Sequence, residues 1–192
     1  VLVSGSATKN VIVAGNRLTS TLVTVFYGTG ATGGTIVGNT LESLQDFGVH
    51  LFDRDGGLSR SIVAQNQIVS SGKSGIQVEG VSDFVLSSNL IFNPGTRDGI
   101  KKEWCCGIVL TRTAGGVASR FAVTSNLISS DTVTSFMQHA ILVSVTTDHV
   151  EIASNVCRGS RGANVKLDRA LSAPYTVETD DEIVTSRTLR SS

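Results

Sequence analysis

The sequence predicts an all-β solenoid: a right-handed, single-stranded parallel β-helix of about six rungs, with an internal asparagine ladder and a C-terminal capping segment. Three observations lead there. One asparagine recurs in a fixed register along the 192 residues, a second strand pattern follows each asparagine, and the composition joins 20 Gly and only 2 Pro to abundant Val, Ile, Ser and Thr. Such a composition suits many short strands linked by tight turns.

The anchors are Asn16, Asn39, Asn66, Asn89, Asn126 and Asn155, within VIVAGNRL, TIVGNTL, SIVAQNQI, FVLSSNLI, FAVTSNLI and VEIASNVC. Three positions earlier stand Val13, Ile36, Val63, Leu86, Val123 and Ile152, aliphatic in every case. Two positions later stand Leu18, Leu41, Ile68, Ile91, Ile128 and Cys157, which marks Cys157 as a core residue. Directly before each anchor come Gly15, Gly38, Gln65, Ser88, Ser125 and Ser154, mostly small residues that suit a sharp corner. The gaps between anchors are 23, 27, 23, 37 and 29 residues, so one anchor marks one coil and loop insertions account for the unevenness.

The second strand of each coil reads Gly48 to Leu51, Gly75 to Val78, Gly107 to Leu110, Ala140 to Val143 and Ala163 to Leu167, with Thr21 to Phe26 serving the first coil. Alternate aliphatics point inward, which leaves His50, Gln77, Val109, Leu142 and Lys166 outward. Stacking at about 4.8 Å per strand brings the six asparagines into one amide ladder and gives a stack roughly 29 Å tall. A β-sandwich has no reason to repeat a corner Asn with matched flanks, and the leucine-dense consensus of leucine-rich repeats is missing. Residues 1–170 form the helix in this reading. Residues 171–192 leave the repeat, and their alternating APYTVETDDEIV is a cap for the last rung's open backbone groups.

Over residues 8–170 the pattern resembles the right-handed parallel β-helix superfamily, which includes pectate-lyase-like enzymes, polysaccharide hydrolases, C5-epimerases and bacteriophage tailspikes. The resemblance implies a polysaccharide or glycan partner, an extracellular, cell-surface or virion setting, and either a homo-oligomer (a trimer) or a larger parent protein. It does not choose among activities, since one scaffold hosts many. The arginine-centred signature of pectate lyases, the paired aspartates of polygalacturonases and the Asp-Pro-His motif of alginate epimerases are absent.

Bulk properties exclude other classes. Sixteen Lys plus Arg balance sixteen Asp plus Glu with no long basic run, so nucleic acid is not an expected partner. No apolar run is long enough to span a bilayer, and the first residues lack a signal-peptide layout; without an initiator Met the chain reads as a processed product or fragment. No cofactor is expected: Gly72-Lys73-Ser74 matches only the end of a phosphate loop. No metal is expected either. Asp53-Arg54-Asp55-Gly56-Gly57 lacks the closing Glu of a calcium loop and reads as a polar turn, and His50 and His149 have no partner at metal spacing. Cys105, Cys106 and Cys157 match no zinc spacing and no ordinary disulfide framework.

Function must therefore lie on outward columns or interrupting loops. From anchor to the next inward residue is ten positions in three coils, but nineteen in coil four (Asn89 to Ile108) and fifteen in coil five (Asn126 to Ile141). Two neighbouring coils are thus enlarged at one corner, by loops 93–106 and 130–139. The first carries Arg97, Asp98, Lys101, Lys102, Glu103 and Trp104, the second Asp131, Phe136, Met137, Gln138 and His139. An aromatic ring stacks on a sugar face while charged groups take hydroxyls or carboxylates, so Arg97, Lys102, Trp104 and Gln138 are the candidate ligand-binding residues. The alternative role of Trp104 is to anchor its loop. Candidate catalytic groups, should the module be a lyase, epimerase or glycoside hydrolase on acidic polysaccharide, are Asp98, Lys101, Glu103, Asp131 and His139. The leading expectation is a carbohydrate-recognising module of tailspike or surface-protein kind. A structural or assembly role is the third, motivated by outward Val109 and Leu142 with Val85, Leu90 and Leu127 on adjoining faces.

Overall fold

The computed structural model describes residues 1–5, 8–20, 22–28, 30–43, 45–55, 58–131, 133–145, 147, 149–168, 171, 175–178 and 183–186, the last four as backbone alone. Three parallel sheets wrap one core, and each strand pairs with its counterpart one coil away. Sheet A holds Leu2–Val3, Val25–Gly28, Val49–Phe52, Ile76–Glu79, Cys106–Thr111, His139–Val143 and Val165–Leu167. Sheet B holds Ile12–Ala14, Thr35–Val37, Ser59–Ala64, Ser82–Ser87, Ser119–Thr124, Val150–Ala153 and Tyr175–Glu178, closed by antiparallel Ile183–Ser186. Sheet C holds Arg17–Ser20, Thr40–Ser43, Gln67–Val69, Leu90–Phe92, Leu127–Ser129 and Val156–Arg158. Each coil runs from B around the asparagine corner to C, then through a loop to A.

The asparagine register is the fold's organising feature. Each anchor's Nδ2 donates to the Oδ1 of the next: Asn16 to Asn39 at 3.0 Å, Asn39 to Asn66 at 2.9 Å, Asn66 to Asn89 at 3.0 Å, Asn89 to Asn126 at 3.0 Å and Asn126 to Asn155 at 2.9 Å. The same Oδ1 accepts the backbone N–H of the preceding anchor, as Asn89 Oδ1 does from Asn66 at 3.1 Å. Asn39, Asn66, Asn89 and Asn126 are buried, so the ladder satisfies corner groups that water cannot reach.

The residue before each anchor has positive φ: 65° at Gly15, 63° at Gly38, 56° at Gln65, 54° at Ser88, and 57° at Ser125 and Ser154. The preference for small residues there thus has a definite cause, a left-handed corner. A second left-handed column runs through Asn10, Gly33, Arg60, Asp83, Arg120 and His149 at the edge of sheet B. No shared residue type announces it.

The inward aliphatics, from Val13 and Ile36 to Ile141 and Ile152, form one continuous core, against which Cys157 packs. Three features differ from the sequence expectations. The first coil's second strand is Val25–Gly28, later than residues 21–26, and Leu2–Val3 adds a strand to sheet A ahead of the first anchor. Gln77, Val109 and Leu142 sit at outward positions of sheet A, yet are only 2–3% exposed. Val109 and Leu142 join Cys106 in a small apolar cluster outside the main core, so they are not an open surface for assembly. Beyond residue 170, Tyr175–Glu178 pairs in parallel with Val150–Ala153, where the sequence expects a capping segment.

Gly48, Gly75 and Gly107 form a column where the chain enters sheet A. A Cβ on Gly75 would lie 2.5 Å from Ile91 Cγ2 and 2.9 Å from the Gly107 carbonyl oxygen. Gly75→Val is accordingly expected to destabilise the fold by about 2 kcal/mol or more through overpacking. A urea midpoint unchanged from the parent would contradict that close packing.

Candidate functional site

Loops 93–106 and 130–139 lie side by side at the corner between sheets C and A. Phe136 N–H donates to the Gly95 carbonyl at 2.9 Å, and Ser135 Oγ donates to the Pro94 carbonyl. Asn93 Nδ2 donates to Asp131 Oδ2 at 3.0 Å, while Asp131 N–H returns a bond to Asn93 Oδ1 at 2.9 Å. Asp131 Oδ1 also accepts from the N–H groups of Val133 and Thr134. These donors, the Thr134 N–H foremost, hold its carboxyl below the ordinary carboxylate range. Asp131 thus staples the two loops together as a fixed anion.

Between the loops lies a cavity of about 230 Å³ lined by Arg97, Asp98, Lys102, Cys105, Phe136, Gln138 and Arg161, together with Gly99 and Ile100. Three of the proposed binding residues, Arg97, Lys102 and Gln138, meet here with Asp98. Three cations face one carboxylate, so the cavity favours an anion. Arg161 was not among the sequence candidates because it belongs to coil six, outside both enlarged loops. Its guanidinium lies 4.8 Å from the Phe136 ring centroid, and Nη2 reaches the Ser135 carbonyl at 3.4 Å. Phe136 therefore orients one of the three cations.

Lys101, Glu103, Trp104 and His139 do not line the cavity. Residues Lys102–Trp104 make one 3₁₀ turn that rests on the Cys106–Thr111 strand. The Trp104 carbonyl accepts from Ser74 Oγ at 2.7 Å while the residue stays 38% exposed. Backbone anchoring and a presented ring therefore coexist in one residue. The Nζ of Lys73 lies 4.8 Å from the Trp104 ring centroid and that of Lys101 5.7 Å. His139 Nδ1 is paired with the Ala163 carbonyl at 2.8 Å.

The outer face of sheet A continues from there toward coils one to three. Lys73 pairs with Asp46 at 2.9 Å and lies over Phe47 at 4.9 Å. Phe47 packs against His50, their ring centroids 4.7 Å apart. The outward-facing His50 has an acidic partner, since its Nε2 is 3.1 Å from Glu79 Oε1. The partners are 29 residues apart in sequence and only one coil apart in space, which linear spacing does not reveal.

Burial pushes the Cys106 thiol up to about 12, and it raises Cys105 as well. At pH 8 a thiol titrating there is ionised in roughly one molecule in ten thousand. Both cysteines are expected to resist iodoacetamide in the folded protein at pH 8 and to react after unfolding; rapid native alkylation would contradict their burial.

A larger groove, about 570 Å³, lies on sheet B between Asp83, Val85, Arg120, His149, Glu151 and Tyr175. Its Arg120 is bound to Asp83 by two hydrogen bonds, at 2.6 and 2.9 Å, and so carries less uncompensated charge than the corner cavity. The Asp53 side chain accepts from the N–H groups of Asp55 and Leu58, consistent with a turn-forming role. Among the described residues, no three His, Cys, Asp or Glu side chains gather to hold a metal ion.

Residues 1–157 match the family described as the right handed beta helix region. Among solved structures, an alginate lyase from Paenibacillus sp. str. FPU-7 aligns with a TM-score of 0.54 and 16% identity, over 69% of this chain and 42% of that one. The likeness is one of fold, and this chain spans less than half of that enzyme's length. No curated protein matches in sequence.

Proposed function

The chain belongs to the right-handed β-helix family, and on that premise we propose that it is a carbohydrate-recognising module that binds acidic polysaccharide at the corner between its two enlarged loops. The observation that carries the reading is the cation excess of the cavity, with Arg97, Lys102 and Arg161 around one Asp98. Planar guanidinium forks match carboxylates in a bidentate manner, and exposed Trp104 offers a ring to a sugar face. The cavity is smaller than the roughly 300–1,000 Å³ that encloses a drug-sized ligand. It suits one sugar unit of a chain that continues over the surface. An alginate lyase as structural neighbour accords with a uronate polymer as the ligand class. The setting proposed is extracellular, on a cell surface or virion; among the described residues no helix is long and apolar enough to cross a membrane.

Titration with uronate oligosaccharides tests the reading. Saturable binding that weakens with added salt is expected, with neutral oligosaccharides of equal length binding at least tenfold less tightly. Failure to bind any acidic glycan would sink it. The same mixtures, watched for ultraviolet-absorbing unsaturated product and new reducing ends, separate recognition from catalysis. Turnover abolished by Lys101→Ala or Glu103→Gln would move the chain to the enzymes.

A further inference from the structure

Sheet A carries a second built surface, on coils one to three. Phe26, at an outward position, is half-buried and lies beside Gly28: a Cβ there would approach Phe26 Cε1 to 2.8 Å and the Phe52 carbonyl oxygen to 2.5 Å. The absent side chain is what lets the Phe26 ring lie across the sheet. Half-buried Phe52 adjoins it, with ring centroids 6.1 Å apart and planes tilted by 39°. His50 wedges between them, 5.3 Å from Phe26 and 5.6 Å from Phe52. Glu79 sits at the register position next to Phe52. Its Oε1 is occupied by His50 Nε2 at 3.1 Å and Gln77 Nε2 at 3.2 Å. The carboxylate is therefore fixed in place, and its side chain, 23% exposed, remains within reach of a ligand.

An ionised carboxylate only accepts hydrogen bonds, and it repels another carboxylate. Beside a pair of rings, it suits a sugar with a hydroxyl or amide donor and an apolar face, but no acid group. The corner cavity, by contrast, calls for an acid. Lys73, which touches both Phe47 and Trp104, connects the two surfaces, and coil two, at the centre of the platform, stands roughly 10–15 Å from coils four to five along the stack. Resting on the proposed function, we infer that the ligand is an acidic heteropolysaccharide, with a uronate at the corner cavity and a neutral or N-acetylated sugar on the Phe26, Phe52 and Glu79 platform.

The test compares oligosaccharides of equal length by calorimetry. Alternating probes from hyaluronan and unsulfated chondroitin are set against all-uronate probes from pectate and alginate. At least one alternating probe is expected to bind tenfold more tightly than either all-uronate probe. Phe26→Ala, and separately the near-isosteric Glu79→Gln, should cut that preference to less than threefold while leaving the all-uronate affinities within twofold. All-uronate probes binding as tightly as every alternating one, or a preference untouched by both substitutions, would overturn the inference and leave the corner site standing. If no probe binds, the proposed function fails with it.

Discussion

Replacing Asn89 by alanine is expected to lower unfolding stability by about 4 kcal/mol, because several buried groups lose their partners at once. Asn66 N–H and Asn66 Nδ2 both lose the Asn89 Oδ1 acceptor, and the Val63 carbonyl loses the Asn89 Nδ2 donor. Asn126 Oδ1 keeps only the residue 89 backbone N–H. All of this happens at a site with 0% exposure, where water cannot replace what is removed. The end of the ladder supplies the control. Asn16 is exposed, and its side chain donates to Asn39 and Ala14 without accepting from an earlier anchor, so Asn16→Ala should cost about 1 kcal/mol or less. Asn89→Asp should resemble Asn89→Ala, since a carboxylate cannot donate to Asn126 and would be buried without a counter-ion. Equal urea midpoints for Asn16→Ala and Asn89→Ala would mean that the ladder does not organise the core.

The second large effect concerns binding. Arg97→Ala combined with Arg161→Ala should weaken a uronate oligosaccharide at least thirtyfold, since each lost charge-assisted contact is worth about 1.5–3 kcal/mol. It should also flatten the dependence of affinity on salt. Stability should change little, because both side chains are exposed: Arg97 makes one long 3.4 Å bond to the Gln45 carbonyl, and Arg161 rests on Phe136. Trp104→Ala should weaken binding less, by about three- to tenfold, since its ring is not among the cavity-lining groups and the 3₁₀ turn holds the loop.

The core columns were legible because each coil imposes the same demand at the same position. An inward site in a stacked coil admits an aliphatic, and the corner admits an asparagine whose amide both donates and accepts. Loop enlargement was legible as well, because residues added to a fixed repeat have nowhere to go but outward. What stayed hidden depends on contacts between coils that leave no trace in linear spacing. His50 and Glu79 meet because a strand residue pairs diagonally with one in the next coil. Arg161 enters the cavity from coil six, and its identity there is recognisable only once Phe136 is placed beneath it. Val109 and Leu142 read as an exposed apolar stripe, yet with Cys106 they form a buried cluster of their own. The left-handed column from Asn10 to His149 was invisible for a different reason: stacking sets that backbone bend, and it is tolerated by Arg60 and Arg120 as well as by Asn and Gly.

The central claim is a location, and hydrogen exchange read by mass spectrometry addresses it most directly. With a saturating uronate oligosaccharide, backbone amides of residues 93–106 and 130–139 should exchange more slowly than in the free chain, with lesser protection near Arg161. Residues 82–87 and 119–124, along the sheet B groove, should be unchanged. Protection confined to that groove, with loops 93–106 and 130–139 unaffected at saturation, would contradict the account.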